Sequence, residues 1–294
     1  MRRPGPLLAL VGVTVIWGVT FVQVQNAIAL YPLFAFLAVR FAISTVVLAP
    51  FAIRSLRTLP RSGYLVGIGV GALLATAYAL QTAGLDRTTV ASTGFITGLY
   101  VVFTPLLALT AFGTAVPRAL WLGIGLSVVG LLLLNGAPGG STLGNLLVLA
   151  NALFQALQIT AMERYAPRYD PRALTFLQMA TSAVAFLAIA VALGDLEVPN
   201  GRTVLSALLV TGVFAGALGY LIATWVQART TAARAALVFT LEAPFAALAG
   251  VLLANEVLGW LGWLGCAVMM AGILVAEPVA ASALRRFSRR RAVA

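Results

Sequence analysis

The sequence predicts an all-α integral membrane protein with ten transmembrane helices, built as a 5+5 inverted repeat around a central cavity. Three observations predict this fold class. The 294 residues are 61% hydrophobic and only 9% charged, with a mean hydropathy of +1.01, whereas soluble domains carry about 25% charged residues. Polar breaks divide the chain into ten apolar segments. The second half of the chain also repeats features of the first half in the same order.

Most of the ten segments reach the length of about 20 apolar residues that a bilayer crossing needs. Each is expected to be a helix, because a backbone in lipid must satisfy its own hydrogen bonds. The fifth segment is short, and the connections are too brief for a separate soluble domain. In chain order the segments are 6–27, 33–53, 62–82, 89–112, 118–135, 143–162, 172–193, 203–225, 232–254 and 258–276.

All nineteen basic residues are arginine, and their distribution predicts the orientation. If the connections alternate between the two sides, sixteen arginines share the side of both termini, two lie opposite, and Arg40 lies inside a segment. Cytoplasmic loops carry such an excess, so both termini are expected in the cytoplasm of a multi-pass protein of the cell inner (plasma) membrane. The sixteen are Arg2, Arg3, Arg54, Arg57, Arg61, Arg118, Arg164, Arg168, Arg172, Arg229, Arg234, Arg285, Arg286, Arg289, Arg290 and Arg291, and the other two are Arg87 and Arg202.

Composition also excludes several classes of function. Cys266 is the only cysteine and the chain has no histidine, so disulfides, thiolate or histidine metal sites and Ser-His catalysis are not expected. We therefore predict no enzyme activity, no catalytic residue, no metal and no cofactor. The net charge of +11 is spread over loops and the C-terminal tail, which argues against a nucleic-acid partner. No cleavable signal peptide is expected, because the first apolar stretch is longer than a signal core.

The two halves of the chain carry matching features at offsets of 139 to 142 residues. We interpret them as the duplication of a five-helix unit, although glycine and proline are frequent in membrane helices in any case. The predicted units are residues 1–137 and 138–280, followed by a basic cytoplasmic tail at 281–294. The matching pairs include Tyr31-Pro32 with Asp170-Pro171, Pro105 with Pro244, and the glycine-spaced segments that begin near Trp121 and Trp260.

Because five is an odd number, the second unit must enter the membrane from the side opposite to the first. Inverted repeats of this kind recur in secondary transporters, whose substrate site lies between the repeats near the bilayer midplane. The chain has no G-x-x-x-x-G-K loop for ATP and no lysine to complete one. Transport driven by a gradient, of substrate alone or with protons, is therefore expected.

A series of short motifs runs through the chain in a recognisable order. They are Trp17-Gly18-Val-Thr-Phe-Val, Tyr31-Pro32, Arg40-Phe41, Pro244, Asn255-Glu256 and the glycine-spaced last segment. Together with the ten segments, they resemble the EamA-type members of the drug/metabolite transporter superfamily over essentially the whole chain. The resemblance implies a 5+5 inverted repeat around a central cavity and movement of small metabolites, often outward. Within the family, the chain is most similar to the aromatic amino-acid exporters of the YddG type.

Polar side chains inside membrane helices are costly, and they usually face the bundle interior or a water-filled cavity. Helical spacing places several of them on shared faces, together with aromatic side chains. Apolar walls with a few polar points suit a ligand with an apolar body and a polar end. The candidate substrate-binding residues are Trp17, Thr20, Tyr78, Gln81, Thr97, Tyr100, Asn151, Gln155, Gln158, Tyr220, Phe239 and Thr240.

Packing between helices is the alternative for each single threonine or glycine on these faces, because hydroxyls bridge helices and glycines allow close approach. The stripe of Asn151, Gln155 and Gln158 favours a substrate role instead. Three amides on one face exceed what packing needs, and amides can pair with either a carboxylate or an ammonium group.

Two ionisable residues lie well inside the segments. Arg40 offers a partner for a substrate carboxylate, but its position about two turns into the second segment favours a snorkelling or helix-end role. Glu242 lies in the middle of the ninth segment and is the candidate for proton coupling, because carboxyl groups inside membranes form proton relays. The alternative is a carboxyl that caps backbone groups freed by the nearby Pro244.

Pro105 and Pro244 occupy corresponding helices of the two predicted units. Proline removes a backbone donor and kinks a helix. Paired breaks at corresponding positions indicate the moving parts of an alternating-access cycle. We therefore predict both prolines as hinges, with a static kink as the alternative.

The sequence thus predicts a secondary transporter that exports small metabolites by alternating access, with aromatic or large neutral amino acids as the favoured substrates. Two alternatives stay open, namely a broad-specificity drug or cation efflux carrier that uses Glu242, and a channel or scramblase. A lipid-modifying transferase is disfavoured, because no cluster of polar catalytic groups lies near one interface. The expected partners are a small-molecule substrate and the lipid bilayer, with the chain acting as a monomer or weak homodimer.

Overall fold

A computed structural model describes residues 5–88, 90–113, 115–135, 141–253 and 257–291. The regular structure in these ranges is helical, without strands, which confirms the predicted all-α class. Four features of the sequence lie outside the described residues: Arg2 and Arg3, the loop between the predicted halves at 136–140, and the Asn255-Glu256 motif.

The described part of the first half contains six α-helices. They are α1 (Gly5–Ile28), α2 (Leu33–Arg57), α3 (Arg61–Leu85), α4 (Val90–Gly98), α5 (Tyr100–Phe112) and α6 (Arg118–Asn135). The described part of the second half contains seven α-helices, one 3₁₀ turn and one π-helical segment. They are α7 (Thr142–Tyr165), the turn (Ala166–Arg168), α8 (Pro171–Leu193), α9 (Arg202–Leu209), the π segment (Val210–Gly219), α10 (Tyr220–Gln227), α11 (Ala232–Phe239), α12 (Glu242–Leu253) and α13 (Trp260–Arg291).

Among the described residues, eight helical stretches are long and apolar enough to cross a membrane. Two shorter apolar helices, Arg118–Leu133 and Trp260–Val275, complete the ten predicted segments. The fourth, eighth and ninth segments each consist of successive helical pieces, which the sequence did not predict. The basic end of the chain, expected only as a tail, continues α13 as helix as far as Arg291.

Local sequence explains where several of these helices begin and end. Asp170 caps α8, because its carboxylate accepts the backbone N–H of Arg172 at 2.8 Å and Pro171 fits the first helical position. Gly113 and Gly194 end α5 and α8 with φ of 62° and 72°, a left-handed conformation that favours glycine. These caps supply the short turns that return the chain to the membrane.

Helices of the first half pack on helices of the second half throughout the molecule. The main partners are α6 with α13, α2 with α8, α3 with α7, and α1 with α12 and the π segment. In the predicted repeat, α1 corresponds to α7, α3 to the helix that contains the π segment, and α5 to α12. When each helix is exchanged for its counterpart, the contact of α3 with α7 becomes that of the π segment with α1, and the contact of α1 with α12 becomes that of α7 with α5. Both of these contacts are also present. This packing is consistent with an inverted repeat and with the predicted fold class.

Small residues allow the closest of these contacts. A Cβ atom at Gly130 of α6 would lie 2.7 Å from the carbonyl oxygen of Gly265, and one at Gly272 of α13 would lie 2.8 Å from that of Gly123. Such distances leave no room for a larger side chain, so the backbones of α6 and α13 touch directly. Small residues at helix interfaces are the usual basis of packing in membranes.

The π segment is held by side chains from the first half. The indole Nε1 of Trp17 in α1 donates to the carbonyl of Ala215 at 3.0 Å, and the Ser44 hydroxyl in α2 donates to the carbonyl of Gly212 at 2.7 Å. The absence of a side chain at Gly212 makes this approach possible, since a Cβ atom there would lie 2.8 Å from Cγ2 of Ile43. Both bonds tie the irregular backbone of the second half to α1 and α2.

The first prediction concerns this tie. The Ser44→Ala protein should unfold at a lower temperature in detergent, because the carbonyl of Gly212 loses a buried donor, at a cost of about 1 kcal/mol. Thr45→Val is the matched control, since the Thr45 hydroxyl bonds only to the carbonyl of Phe41 in its own helix. Equal melting temperatures for the Ser44→Ala protein and the wild type would contradict the role given to this bond.

The second prediction concerns orientation, which the arginines predict and the fold leaves open. In a Cys266→Ser background, a cysteine in place of Asn200, an exposed residue before α9, should react with an impermeant maleimide added outside intact cells. A cysteine in place of Thr58, an exposed residue between α2 and α3, should react only after the cells are opened. The reverse pattern would show that the termini lie outside.

Candidate substrate-binding site

A small cavity lies where the two halves meet, and we call it the Glu242 cavity. Its volume is about 10 Å³, roughly enough for one water molecule. The lining side chains come from α1, α4, α5 and the junction of α11 with α12. They are Phe21, Thr97, Tyr100, Thr240, Glu242 and Ala243, and the backbones of Gly94 and Gly98 complete the wall.

Breaks in two corresponding helices place these residues. The fourth segment breaks at Leu99 between α4 and α5, and the ninth breaks at Thr240 and Leu241 between α11 and α12. Pro244 lies in the first turn of α12, whereas Pro105 lies inside α5, six residues after Leu99. Both prolines therefore lie on the C-terminal side of a break, and their role as hinges stays a prediction.

Glu242 occupies the first turn of α12, where the helix dipole favours a negative charge. It is half-buried. The neighbouring helix α1 comes very close, because a Cβ atom at Gly18 would lie 2.8 Å from the carbonyl oxygen of Glu242 and 2.7 Å from the amide nitrogen of Ala246. This close contact fixes the start of α12 against α1 and holds the carboxyl group at the cavity.

Next to this cavity, a row of ring contacts crosses the interface between the halves, and we call it the aromatic chain. Trp17 has ring centroids 5.3 Å from Phe239 and 5.1 Å from Tyr220. Tyr220 lies 6.3 Å from Tyr78, which meets Phe41 edge to face at 5.2 Å. The members are Phe239 and Tyr220 from the second half and Trp17, Phe41 and Tyr78 from the first. Their π faces suit an aromatic or flat apolar ligand.

Arg40 lies at one end of the aromatic chain. Its side chain is only 4% exposed, and its guanidinium carbon lies 4.8 Å from the ring centre of Tyr78 and 5.6 Å from that of Phe41. Nη2 donates to the Tyr78 hydroxyl at 3.4 Å, and the Tyr220 hydroxyl donates to the same oxygen at 3.0 Å. The snorkelling role favoured by the sequence is therefore wrong, since the charge points into the protein interior.

The buried amides mainly join helices to one another. Asn151 donates to the carbonyl of Ala77 at 2.8 Å and accepts from the Thr97 hydroxyl at 3.2 Å. Gln81 donates to Thr97 at 3.3 Å. Through Thr97, this network touches the Glu242 cavity, so it connects α3, α4 and α7 to the site.

Gln158 lies further along α7 and donates to the side chain of Gln178 in α8 at 2.9 Å. Gln155, between Asn151 and Gln158, is half-buried and makes no described hydrogen bond. The stripe of three amides therefore does not converge on one described cavity. Its geometry fits the packing alternative for Gln158, and a substrate role for the three stays a prediction.

The two remaining predicted threonines differ in position. Thr240 lines the Glu242 cavity and donates to the carbonyl of Leu237 at 2.6 Å. Thr20 is buried and donates to the carbonyl of Trp17 at 2.7 Å, within its own helix. Of the predicted set, the structure thus brings Thr97, Tyr100, Thr240 and Glu242 together at one cavity.

A larger polar cavity opens near the C-terminal end of α1, and we call it the vestibule. Its volume is about 370 Å³, and its walls are Gln23, Asn26, Arg202, Thr203 and Ser206. Its α1 residues, Gln23 and Asn26, lie two and five residues after Phe21, on the face of α1 opposite to the Glu242 cavity. Under the predicted orientation, the vestibule faces the outside of the cell.

The sequence reasoning missed Phe41, and it considered Arg40 as a substrate partner but favoured another role for it. Phe41 follows Arg40 directly and extends the aromatic chain, but periodicity gave no reason to separate it from core packing. Arg40 itself carried a usable signal, because an ionisable residue within a membrane segment is by default a candidate functional residue. Helix position alone was a poor guide to the direction of its side chain.

The fold and the site define a multi-pass membrane transporter built from two similar halves. The sequence model of the EamA-like transporter family matches the chain twice, at residues 4–136 and 142–276. The chain is 30% identical over 268 residues to an uncharacterized transporter of Archaeoglobus fulgidus, which covers 91% of this chain and 84% of that protein. This protein therefore belongs to the EamA-like transporter family, as the motifs predict.

A protein known from a crystal structure supports the fold independently of sequence. It has a TM-score of 0.76 with 18% identity, over 96% of this chain and 99% of that chain. At this identity the likeness concerns the fold alone. Membership of a family of transporters fits the prediction that the chain is not an enzyme.

Proposed function

We propose that the protein is a secondary transporter that exports aromatic or large neutral amino acids, in the manner of YddG-type exporters. The observation that carries this proposal is the aromatic chain, which ends near a buried cation, Arg40, and near a carboxyl group, Glu242. An aromatic amino acid carries complementary groups: a ring for the aromatic chain, a carboxylate for Arg40 and an ammonium group for Glu242. A phosphate or sugar phosphate has no flat apolar group that could pack against the aromatic walls of the site.

The positions of the cavities support alternating access. The vestibule opens on the predicted outer side, while the Glu242 cavity has a volume of only about 10 Å³. At the opposite end, Ser55 donates to Asp170 at 2.8 Å and Tyr169 donates to Ser62 at 3.2 Å, which joins α2 and α3 to the start of α8. These features support a state closed to the cytoplasm, from which motion at Pro105 and Pro244 would open the other side.

The remaining features of the proposal follow from the duplicated sequence and the arginine distribution. The two units comprise residues 1–137 and 138–280, with a basic cytoplasmic tail at 281–294. The protein lies in the inner membrane, with both termini on its cytoplasmic side. The transporter acts as a monomer or weak homodimer.

A broad-specificity cation efflux carrier is the second candidate, and the Glu242 cavity favours it. A carboxyl group beside Tyr100 and Phe21 offers both charge and aromatic faces to an organic cation. Arg40 argues against this candidate, because a buried positive charge near the same aromatic chain repels cations. The substrate assay must therefore include both classes.

The third prediction identifies the substrate. In proteoliposomes loaded with unlabelled amino acid, the wild type should accumulate external radiolabelled phenylalanine, tyrosine or tryptophan by saturable counterflow. The twenty amino acids and several cationic dyes should be compared as competitors, and the aromatic amino acids should compete best. Counterflow driven only by cationic dyes would replace the proposal with the second candidate. Flux without saturation or counterflow would indicate a channel or scramblase.

The fourth prediction tests proton coupling. Glu242→Gln should abolish substrate transport driven by an imposed pH gradient while leaving counterflow measurable, because the amide keeps the shape of the side chain but cannot carry a proton. The control is Glu197→Gln, at an exposed residue before α9. Wild-type rates in the Glu242→Gln protein would remove this residue from the coupling mechanism. Loss of dye efflux in the same variant would support the cation carrier.

A further inference from the structure

Arg40 is a buried cation whose described anionic neighbour, Glu242, interacts with it only at a longer range than an ion pair. No described carboxylate forms an ion pair with it, and its Nε has no hydrogen-bond partner. The hydrogen bond to Tyr78, at 3.4 Å, is long and goes to a neutral oxygen. The two aromatic rings beside it offset part of the charge through cation–π contact, but they leave the guanidinium N–H groups unmatched.

An arrangement of this kind costs folding free energy. Burying a charge is expensive unless it is paired and hydrogen-bonded, and an arginine inside a membrane is especially costly. A buried arginine that serves packing alone would be expected to have a carboxylate partner or a full set of carbonyl acceptors. An arginine that receives an anion during a transport cycle has to remain unpaired between cycles.

We propose that Arg40, together with Tyr78 and Tyr220, forms the subsite for the carboxylate of a transported amino acid. This inference rests on the proposed function and assigns one end of the substrate to named groups. The guanidinium offers parallel N–H donors that match the two oxygens of a carboxylate. The phenol pair supplies a further O–H donor beside the guanidinium, since the Tyr220 hydroxyl already reaches the Tyr78 oxygen at 3.0 Å.

The position of the subsite determines how the substrate lies. Arg40 and Tyr78 belong to α2 and α3 of the first half, whereas Tyr220 begins α10 in the second. From Tyr220 the aromatic chain leads through Trp17 to Phe239, which is three residues before Glu242. A carboxylate at Arg40 therefore lets the apolar body of the substrate lie along Tyr220 and Trp17.

The backbone around Arg40 keeps the subsite in place. The carbonyl of Arg40 accepts the Ser44 hydroxyl at 3.1 Å, and the same hydroxyl donates to the carbonyl of Gly212. A Cβ atom at Gly212 would lie 3.1 Å from the Arg40 carbonyl oxygen. The turn of α2 that carries Arg40 is thus packed tightly on the π segment, which leads directly to Tyr220.

The fifth prediction compares two probes that differ only at the carboxylate. L-Phenylalanine and L-phenylalaninamide share the ring and the ammonium group, but the amide has no negative charge. Each should be titrated as a competitor of counterflow of the labelled amino acid. The wild type should prefer L-phenylalanine by at least tenfold, and in Arg40→Gln this preference should fall to about twofold or less. Arg40→Lys should keep part of it, because the charge stays but the parallel donors are lost.

Two further variants make the test specific. Arg54→Gln removes an exposed arginine from the end of the same helix and should keep the wild-type preference. Tyr220→Phe keeps the ring next to Trp17 but removes the hydroxyl, so it should raise the half-inhibitory concentration of L-phenylalanine severalfold and change that of the amide little. If the Arg40→Gln protein does not reach the membrane in folded form, the Tyr220→Phe protein still tests the subsite through its preference for L-phenylalanine over the amide.

The outcomes separate this inference from the proposed function. If the wild type transports aromatic amino acids but binds L-phenylalaninamide as well as L-phenylalanine, the carboxylate subsite is wrong and the proposed function stands. The same conclusion follows if Arg40→Gln or Tyr220→Phe keeps the wild-type preference. If no amino acid competes in the wild type, the proposed function fails, and the subsite fails with it.

Discussion

Within a membrane, every buried carbonyl needs a donor from the protein, and this requirement is most demanding where a helix departs from regular geometry. In this transporter the π segment is such a departure, in the middle of the second half. Trp17 and Ser44 of the first half donate to two of its carbonyls, those of Ala215 and Gly212, at 3.0 and 2.7 Å. The same two contacts hold α1 and α2 against the π segment, and so they fix the positions of Trp17 and Arg40 relative to Tyr220.

This constraint explains why the candidate site combines packing and binding functions in the same residues. The indole of Trp17 uses its N–H for the backbone and its faces for Phe239 and Tyr220. Its orientation is therefore fixed before any substrate arrives, which lowers the entropy lost when a ligand stacks on it. Arg40 differs from it, because its Nε is buried without a hydrogen-bond partner. Gln23, Ser127 and Thr230 also contain such atoms, so the positive charge of Arg40 is what gives it capacity for an anionic ligand.

The sequence was sufficient to predict the helical segments and the family, but it was not sufficient to predict the helix breaks and the side-chain contacts between helices. Hydropathy, the arginine distribution and the repeated motifs depend on whole segments, so they predicted the ten segments and the family. The bounds of α6 matched the predicted fifth segment because Pro117 and the Gly-Ala-Pro-Gly-Gly run after Asn135 mark its ends in the sequence. The breaks at Leu99 and Thr240 and the π segment depend on contacts between distant helices, which periodicity does not contain.

Side-chain direction was the second limit. Helical spacing placed Asn151, Gln155 and Gln158 on one face, but the face spans two environments, because Asn151 meets α3 and α4 whereas Gln158 meets α8. Arg40 was assigned to the interface by its distance from the helix end, yet its neighbours draw the guanidinium inward between Tyr78 and Phe41.

The duplication adds a last argument about how chemistry is divided between the halves. At the offset of 139 residues, Tyr100 corresponds to Phe239 and Pro105 to Pro244, so the aromatic and proline positions are kept in kind. The charged positions are not: Arg40 corresponds to Met179, and Glu242 corresponds to Phe103. Each half thus contributes one ionisable side chain of opposite type to a frame that is otherwise similar. Under the proposed function, a substrate that contacts both Arg40 and Glu242 would bridge the two halves, and its binding would favour the arrangements in which both side chains face one cavity.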